Sequence, residues 1–85
     1  MKSIDELPLR CPCCGYKTLG ERGVYEICDV CFWEDDGQDD EDADEVFGGP
    51  NGSISLTQGR ANFREFGASQ RKHLPHVRKP RHDEQ

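Results

Sequence analysis

The chain has 85 residues, of which 33% are apolar and 33% are charged, and its formal net charge is -6 at pH 7. A chain this short and polar buries little apolar surface, so we expect one small domain with a metal staple. No apolar run is long enough to span a bilayer, and residues 1–6 are not typical of a secretory signal peptide. We therefore expect a cytoplasmic protein, because in that compartment clustered cysteines serve as metal ligands more often than as disulfides.

Two cysteine pairs of the same C-x-x-C spacing stand early in the chain. Cys11 and Cys14 form the first pair, Cys28 and Cys31 form the second, and thirteen residues separate the pairs. Four thiolates at such spacing predict a closed tetrahedral site for one structural zinc ion. Iron is the alternative, as in a rubredoxin-like electron carrier, because four sulfur atoms also suit that metal. A closed site leaves no coordination position for a substrate, so the pattern predicts no metal catalysis.

The fifth cysteine, Cys13, lies inside the first pair. A redox role of the thioredoxin type needs a βαβ context, for which this chain has no room. We therefore expect Cys13 to be a small buried residue beside the metal site.

The predicted elements begin with a β-hairpin. Residues 16–19 and 24–27 are rich in strand-forming side chains, and two glycines bound the four residues between them. Such a hairpin would bring the two cysteine pairs together. The predicted fold class is a small metal-stapled α+β domain, a zinc ribbon with a rubredoxin-like β-hairpin and one packed C-terminal helix. A third short strand is expected near residues 46–47 or 53–54.

Residues 34–45 form the acidic segment, which carries nine carboxylates and no basic residue. An EF-hand calcium loop is excluded, because Glu45 and Asn51 stand where such a loop needs glycine and glutamate. A charge run of this kind is either a solvated face or a docking surface that attracts a basic partner. A core position over the metal site is the structural alternative for Trp33. The predicted partner-binding residues are Trp33, Glu34, Asp35, Asp36, Asp39, Asp40, Glu41 and Asp42.

A helix is predicted over about residues 56–66. Ser55 precedes it as N-cap, Gln58 completes a capping-box pattern, and Gly67 is placed to end it. Gly59 costs about 1 kcal/mol of helix stability relative to alanine, so we expect the helix backbone to pack closely on the ribbon there. The face that repeats at helical spacing consists of Leu56, Gly59, Phe63 and Phe66.

Residues 70–85 form a basic segment without a predicted element. Residues 74–80 are polar and interrupted by proline, so we expect them to be extended or disordered. His73 and His76 lack further ligands nearby, and we expect both to be solvated. The predicted organisation is a zinc-ribbon domain at residues 1–69, which contains the acidic segment as an insert, and a flexible basic tail.

The chain resembles the bacterial cysteine-rich CPCC family in two motifs, CPCCGY at residues 11–16 and YEICDVCFWEDDG at residues 25–37. The resemblance continues through GPNG at residues 49–52 to about residue 68. Asp29 is a departure, because the family commonly has proline there. The resemblance implies a small zinc-ribbon protein and, by analogy at family level, an immunity protein for a secreted bacterial toxin.

We predict a non-enzymatic zinc-binding protein-interaction module. In its most specific form it is an immunity or antitoxin-type protein that neutralises a basic toxin, such as a nuclease, through the acidic segment. The chain has no glycine-rich phosphate loop and no recognisable catalytic constellation. One alternative is the rubredoxin-like electron carrier. The other is a nucleic-acid-associated ribbon, which the net acidity opposes. It would use Arg60, Arg64, Arg71, Lys72, Arg78, Lys79 and Arg81.

Overall fold

A computed structural model describes residues 8–85 of the chain. The expectation about residues 1–6 lies outside this described part. Within it, the regular elements are two short strands and one α-helix, which we call β1 (Leu9–Arg10), β2 (Lys17–Leu19) and α1 (Leu56–Phe66). No helix of residues 8–85 has the length and hydropathy needed to cross a membrane. Short 3-10 helices add turns at Asp40–Asp42, Gly49–Asn51, Arg71–His76 and His82–Glu84.

Strands β1 and β2 pair antiparallel and form a hairpin around the first cysteine pair. The predicted hairpin of residues 16–19 with residues 24–27 is therefore wrong. The N–H group of Cys11 donates to the carbonyl oxygen of Tyr16 at 2.8 Å, so the cysteine pair itself lies in the turn.

The second cysteine pair lies in a turn of the same kind. Ile27 is opposite Glu34 in an antiparallel bridge, and the N–H group of Cys28 donates to the carbonyl oxygen of Trp33 at 2.9 Å. Each cysteine pair therefore belongs to its own short hairpin. The two hairpins meet at their turns, where the four sulfur atoms lie.

The third strand predicted near residues 46–47 or 53–54 is absent from the described residues. Three glycines in this part of the chain have positive φ angles, 77° at Gly48, 61° at Gly49 and 66° at Gly52. A strand requires negative φ throughout, so these conformations turn the chain instead of extending it.

Helix α1 has the bounds that its capping residues predict. The Ser55 hydroxyl oxygen accepts the N–H group of Gln58 at 3.1 Å. Gly67 adopts a left-handed conformation with a φ of 94°, and its N–H group donates to the Phe63 carbonyl oxygen. The Gln58 side chain donates to Asn62. The structure thus contains the Ser55 half of the predicted capping box.

Helix α1 contacts the cysteine hairpins through Gly59. A β-carbon added there would lie 3.1 Å from Cζ3 of Trp33 and 3.4 Å from Sγ of Cys13. The close packing predicted at Gly59 is confirmed. Three of the four paired cysteines belong to the buried core, so the candidate metal site is part of that core. The buried cluster consists of Cys11, Cys13, Leu19, Cys28, Val30, Cys31, Trp33, Ala43 and Leu56.

The basic segment lies against the second hairpin. Arg71–His76 forms a 3-10 helix, and the N–H group of Arg78 donates to the carbonyl oxygen of Asp29 at 3.2 Å. The extended backbone predicted for residues 74–80 is wrong for its first three residues, because the turn continues to His76 and the chain extends only from Val77. The domain boundary after residue 69 and the flexibility of the residues beyond it stay predictions.

Candidate metal centre

The four paired cysteines converge on one point. The Sγ atoms of Cys11, Cys14, Cys28 and Cys31 all lie within 4.8 Å of one another. The Cys11–Cys31 and Cys14–Cys28 sulfur–sulfur distances are both 3.6 Å. A zinc ion about 2.3 Å from four tetrahedral thiolates implies sulfur–sulfur distances of about 3.8 Å. The residues present therefore fit one metal ion, with each short sulfur–sulfur contact joining the two hairpins.

The two turns that carry these sulfur atoms repeat one backbone pattern. We call residues 11–16 the first knuckle and residues 28–33 the second knuckle. The N–H group of Gly15 donates to the Cys11 carbonyl oxygen at 2.8 Å, and that of Phe32 donates to the Cys28 carbonyl oxygen at 2.7 Å. Gly15 and Phe32 both have positive φ, 83° and 68°. The same turn built twice presents two cysteine pairs to a common centre.

Phe32 occupies a backbone conformation that favours glycine, since the left-handed region costs other residues about 1–2 kcal/mol. Its ring lies 4.6 Å from the ring of His73 and 5.2 Å from that of His76, measured between centroids. Aromatic packing of this kind offsets part of the backbone cost. The expectation that both histidines are solvated is therefore wrong for His73, which is half-buried, whereas His76 is exposed as expected although its ring lies beside Phe32.

Two hydrogen bonds reach the sulfur atoms from outside the cysteine cluster. The Thr18 hydroxyl donates to Sγ of Cys28 at 3.0 Å, and the N–H group of Trp33 donates to Sγ of Cys31 at 3.4 Å. Donors of this kind stabilise thiolate charge and orient the ligands of a metal. No motif in the sequence marks Thr18, because its hydrogen bond to Cys28 depends on the folded position of β2.

Hydrogen bonds among the thiols distribute their protons unevenly. The pKa of Cys28 is lowered because Cys11, Cys14 and Cys31 hydrogen-bond its sulfur. The pKa of Cys11 is raised, first by its hydrogen bond with Cys14, and that of Cys31 is raised, first by its hydrogen bond with Cys11. Coordination of a metal requires all four thiolates, so affinity for the metal rises with pH.

The chain matches the model of a known protein family. The family model described as cysteine-rich CPCC matches residues 9–84. The chain belongs to the cysteine-rich CPCC family. The match includes both knuckles, helix α1 and most of the basic segment, and so extends past residue 68, where the motif resemblance ended. No curated protein and no solved structure matches the chain.

Two residues predicted to bind a partner are instead fully buried in this CPCC protein. Trp33 and Asp35 both have 0% of their surface exposed. The core alternative for Trp33 is the correct one, and its ring packs against Gly59 of α1. Neither residue offers a surface to a partner, which corrects the predicted set. Cys13 is 7% exposed, so its predicted burial is confirmed.

Asp35 organises the loop between the two hairpins. Its carboxylate accepts hydrogen bonds from Arg22 Nε at 2.7 Å, the Gly23 N–H group at 2.8 Å and the Gly37 N–H group at 3.1 Å. The bond to Gly37 closes a local turn in which an aspartate binds the backbone two residues on. The sequence contained a signal for this role, because Asp35-Asp36-Gly37 is typical of a tight turn as well as part of the acidic segment.

The rest of the acidic segment divides into structural and accessible carboxylates. Asp39 accepts the N–H group of Asp40, and Asp42 accepts that of Asp39, both at 2.8 Å, so these groups cap the 3-10 helix Asp40–Asp42. Arg22 also binds Asp39 at 2.8 Å, which lowers the pKa of Asp39. Asp40 and Glu41 are exposed, whereas Asp36 is half-buried. Only part of the predicted docking surface is therefore available.

Several basic residues named for nucleic-acid binding make internal contacts. Arg60 donates to the Pro12 carbonyl oxygen at 2.8 Å and to Asp40 at 2.8 Å. Arg78 binds Glu84 through two hydrogen bonds of 2.7 and 2.8 Å. These contacts neutralise two of the seven positive charges within the fold, which weakens a backbone-phosphate interface.

Proposed function

We propose that this protein is a non-enzymatic interaction module whose four-cysteine centre holds one structural zinc ion. The observation that carries the proposal is the cluster of four sulfur atoms, three in the buried core and that of Cys14 packed against it, at distances that suit a single tetrahedral ion. A closed site of this kind stabilises a fold whose apolar core is small, and it leaves no open position for chemistry. On this proposal the chain is a zinc ribbon built from two knuckles.

Metal analysis tests the zinc assignment. The protein is expressed in medium that contains both zinc and iron and is then weighed by native mass spectrometry. One zinc per chain, with no visible absorption, is the expected result. One iron per chain with reversible oxidation and reduction would contradict it and favour the rubredoxin-like carrier, because the same sulfur tetrahedron suits iron.

We infer that the partner of this module is a basic protein and that the two meet in the cytoplasm. The support is the formal net charge of -6 together with exposed carboxylates at Asp40, Glu41, Asp44 and Glu45. A surface of one sign attracts a partner of the other and accelerates association. The most specific form is an immunity or antitoxin-type protein that covers the phosphate-binding site of a basic nuclease toxin, and it rests on charge complementarity and family-level analogy.

Charge removal at exposed positions tests the docking role of the acidic segment. We expect Asp40→Asn with Glu41→Gln to slow association with a basic nuclease probe severalfold at low salt and much less at high salt. Stopped-flow association rates measure this, with inhibition of the nuclease as the second readout. The double variant Asp83→Asn with Glu65→Gln removes the same charge at exposed positions outside the acidic segment and serves as the control. Equal rates for wild type and the Asp40/Glu41 variant would contradict the proposal.

A further inference from the structure

Tyr25 combines a strained backbone with an exposed side chain. Its φ angle is 67°, and 57% of its surface is exposed. Its N–H group donates to the Asp35 carbonyl oxygen at 2.9 Å, and the Asp35 N–H group donates to the Glu26 carbonyl oxygen at 2.9 Å. This pattern is a β-bulge whose first position normally holds glycine. A tyrosine there is held against its backbone preference.

Tyr25 lacks the ring stacking that supports Phe32. Phe32 is the other non-glycine residue with positive φ in the described part of the chain, and its ring is stacked on His73 and His76. Among residues 8–85, no aromatic ring pairs with Tyr25. Strain at an exposed position is a sign of function when nothing internal compensates for it.

Exposed apolar residues flank Tyr25 in the first half of the second hairpin. Side chains alternate between the two faces of paired strands. Cys28 and Trp33 point to the buried side, so Ile27 and Glu34, which oppose each other one residue away, point to the other side. Ile27 is 44% exposed and Val24 is 47% exposed. Three exposed large apolar side chains, those of Val24, Tyr25 and Ile27, therefore lie within four residues of the chain segment that opposes Glu34.

The outer edge of this hairpin is already occupied by Asn51. Its side-chain oxygen accepts the Glu34 N–H group at 3.1 Å, and its amide nitrogen donates to the Glu34 carbonyl oxygen at 2.7 Å. A partner therefore cannot add a strand beside Glu34. Contact with this hairpin must occur through the side chains of its outer face.

The charges around this face select the partner. Within residues 8–85, the Glu34 carboxylate makes no ion pair, although its backbone is held by Asn51. Glu21 is exposed four residues before Tyr25. The formal net charge of -6 opposes association with a second copy of the chain. An apolar centre with a carboxylate rim complements an apolar side chain flanked by lysine or arginine.

We propose that Val24, Tyr25 and Ile27, together with the Glu34 carboxylate, form the contact surface for a basic protein segment that carries an exposed aromatic or aliphatic side chain. The inference rests on the proposed function. It places the contact with the partner on exposed residues of the second hairpin, and the buried Trp33 takes no part in it. Tyr25 provides the central ring of this surface, and the chain accepts a strained backbone to present it.

The substitution Tyr25→Gly separates binding from folding. Glycine suits the positive φ, so we expect the variant to unfold at a higher temperature than the wild type while it loses the contact ring. The binding probes are two synthetic peptides of equal length and equal lysine content, one with tryptophan and leucine between the lysines and one with serine. Chemical shifts of backbone amides in the zinc-loaded full chain at low salt report the affinity and the site.

The expected result has three parts. The tryptophan-containing peptide binds about tenfold more tightly than the serine peptide, as a buried aromatic anchor should. Its shifts centre on Val24, Tyr25, Ile27 and Glu34. Tyr25→Gly weakens that binding by about tenfold, whereas Phe47→Ala, which removes another exposed aromatic ring, leaves it unchanged.

Three results would overturn the inference. Equal affinity for both peptides, with shifts centred on Asp40–Asp42, would leave the proposed acidic docking function in place but remove this surface. No binding of either peptide at low salt would overturn both proposals. A lower unfolding temperature for Tyr25→Gly would show that Tyr25 supports the fold instead of a partner.

Discussion

At Gly59 the missing side chain sets the distance between helix α1 and the Trp33 ring. An alanine there would place its β-carbon 3.1 Å from Cζ3 of Trp33, closer than an ordinary carbon contact. Alanine is favoured over glycine by about 1 kcal/mol in a helix interior, but an extra methyl group in a packed core costs about 1–3 kcal/mol. Because Trp33 is fully buried, its ring has little room to move.

We expect Gly59→Ala to lower the free energy of unfolding by about 1 kcal/mol, the core penalty less the helix gain. Denaturant unfolding of the metal-loaded protein, followed by Trp33 fluorescence, measures the change. Arg64→Ala, on the exposed side of the same helix, is the control and should change stability little. A Gly59→Ala variant more stable than the wild type would show that the helix does not approach the ring this closely.

Single residues also mark the limit of what the sequence can predict. The N-cap Ser55 and the C-cap Gly67 were predictable because each acts on its own neighbouring backbone. Tyr25 and Phe32 were not, since positive φ normally selects glycine and an aromatic residue gives no sign of adopting it. The burial of Asp35 was hidden for a similar reason, because its partner Arg22 is recognisable only once the two hairpins face each other.

At the level of elements, the sequence indicated extended chain more reliably than it indicated strand partners. Residues 17–19 are a strand as predicted, but they pair with Leu9–Arg10, which precede the first knuckle. Alternation of side chains predicts that a segment is extended and does not identify the segment beside it. The knuckle turns decide the partner, because the hydrogen bonds of Cys11 and Cys28 each return the chain across its own cysteine pair.

The C-terminal 3-10 helix His82–Glu84 is attached by an ion pair whose strength depends on pH. Arg78 hydrogen-bonds Glu84 and lowers the pKa of Glu84 from 4.5 to about 2. Because the folded-state pKa lies below the unfolded value, this contribution to stability is present in full above pH 4.5 and is lost as the pH falls toward 2.

We therefore expect Glu84→Gln to lower the unfolding midpoint by a constant amount above pH 4.5 and by a decreasing amount below it. Midpoints of wild type and variant are compared at each pH, so that effects of acid on the cysteine centre are common to both. Asp83→Asn, at the exposed neighbour, is the control and should show no such trend. A difference that persists unchanged in acid would mean that the ion pair is not the cause.

For the molecule as a whole, the sulfur centre and the apolar core are the same structure. Cys11, Cys28 and Cys31 are buried in the cluster that also contains Trp33 and Leu56. Little else is available to hold the fold, because only 33% of the residues are apolar. Binding of the metal is therefore expected to supply most of the folding free energy.

We expect removal of the metal by a chelator at neutral pH to unfold the whole domain. Trp33 would move from the core to water, and its fluorescence maximum would shift to longer wavelength. Cys28→Ala should have the same effect, whereas Cys13→Ala should retain one metal per chain because Cys13 lies outside the four-sulfur cluster. A chelated protein that keeps its native fluorescence would contradict this account.

The convergence of the four paired cysteines was the part of the whole molecule that the sequence predicted best, because two short local spacings define it. The path of the basic segment was hidden, since it depends on contacts between residues far apart in the chain. Ser69 donates its N–H group to the Cys31 carbonyl oxygen and Arg78 donates to that of Asp29. Neither contact leaves a pattern in the residues that make it.

The two knuckles also differ in when their supports become available during translation. The first knuckle is closed by residues 9–19, which leave the ribosome together with its cysteines, and helix α1 then covers it through Gly59 and Arg60. The second is covered by Ser69, His73 and Arg78, which are synthesised more than thirty residues after Cys31. A nascent chain thus has all four ligands before it has the cover of the second pair. Until the basic segment has been synthesised, a bound metal would dissociate most readily on the side of Cys28 and Cys31.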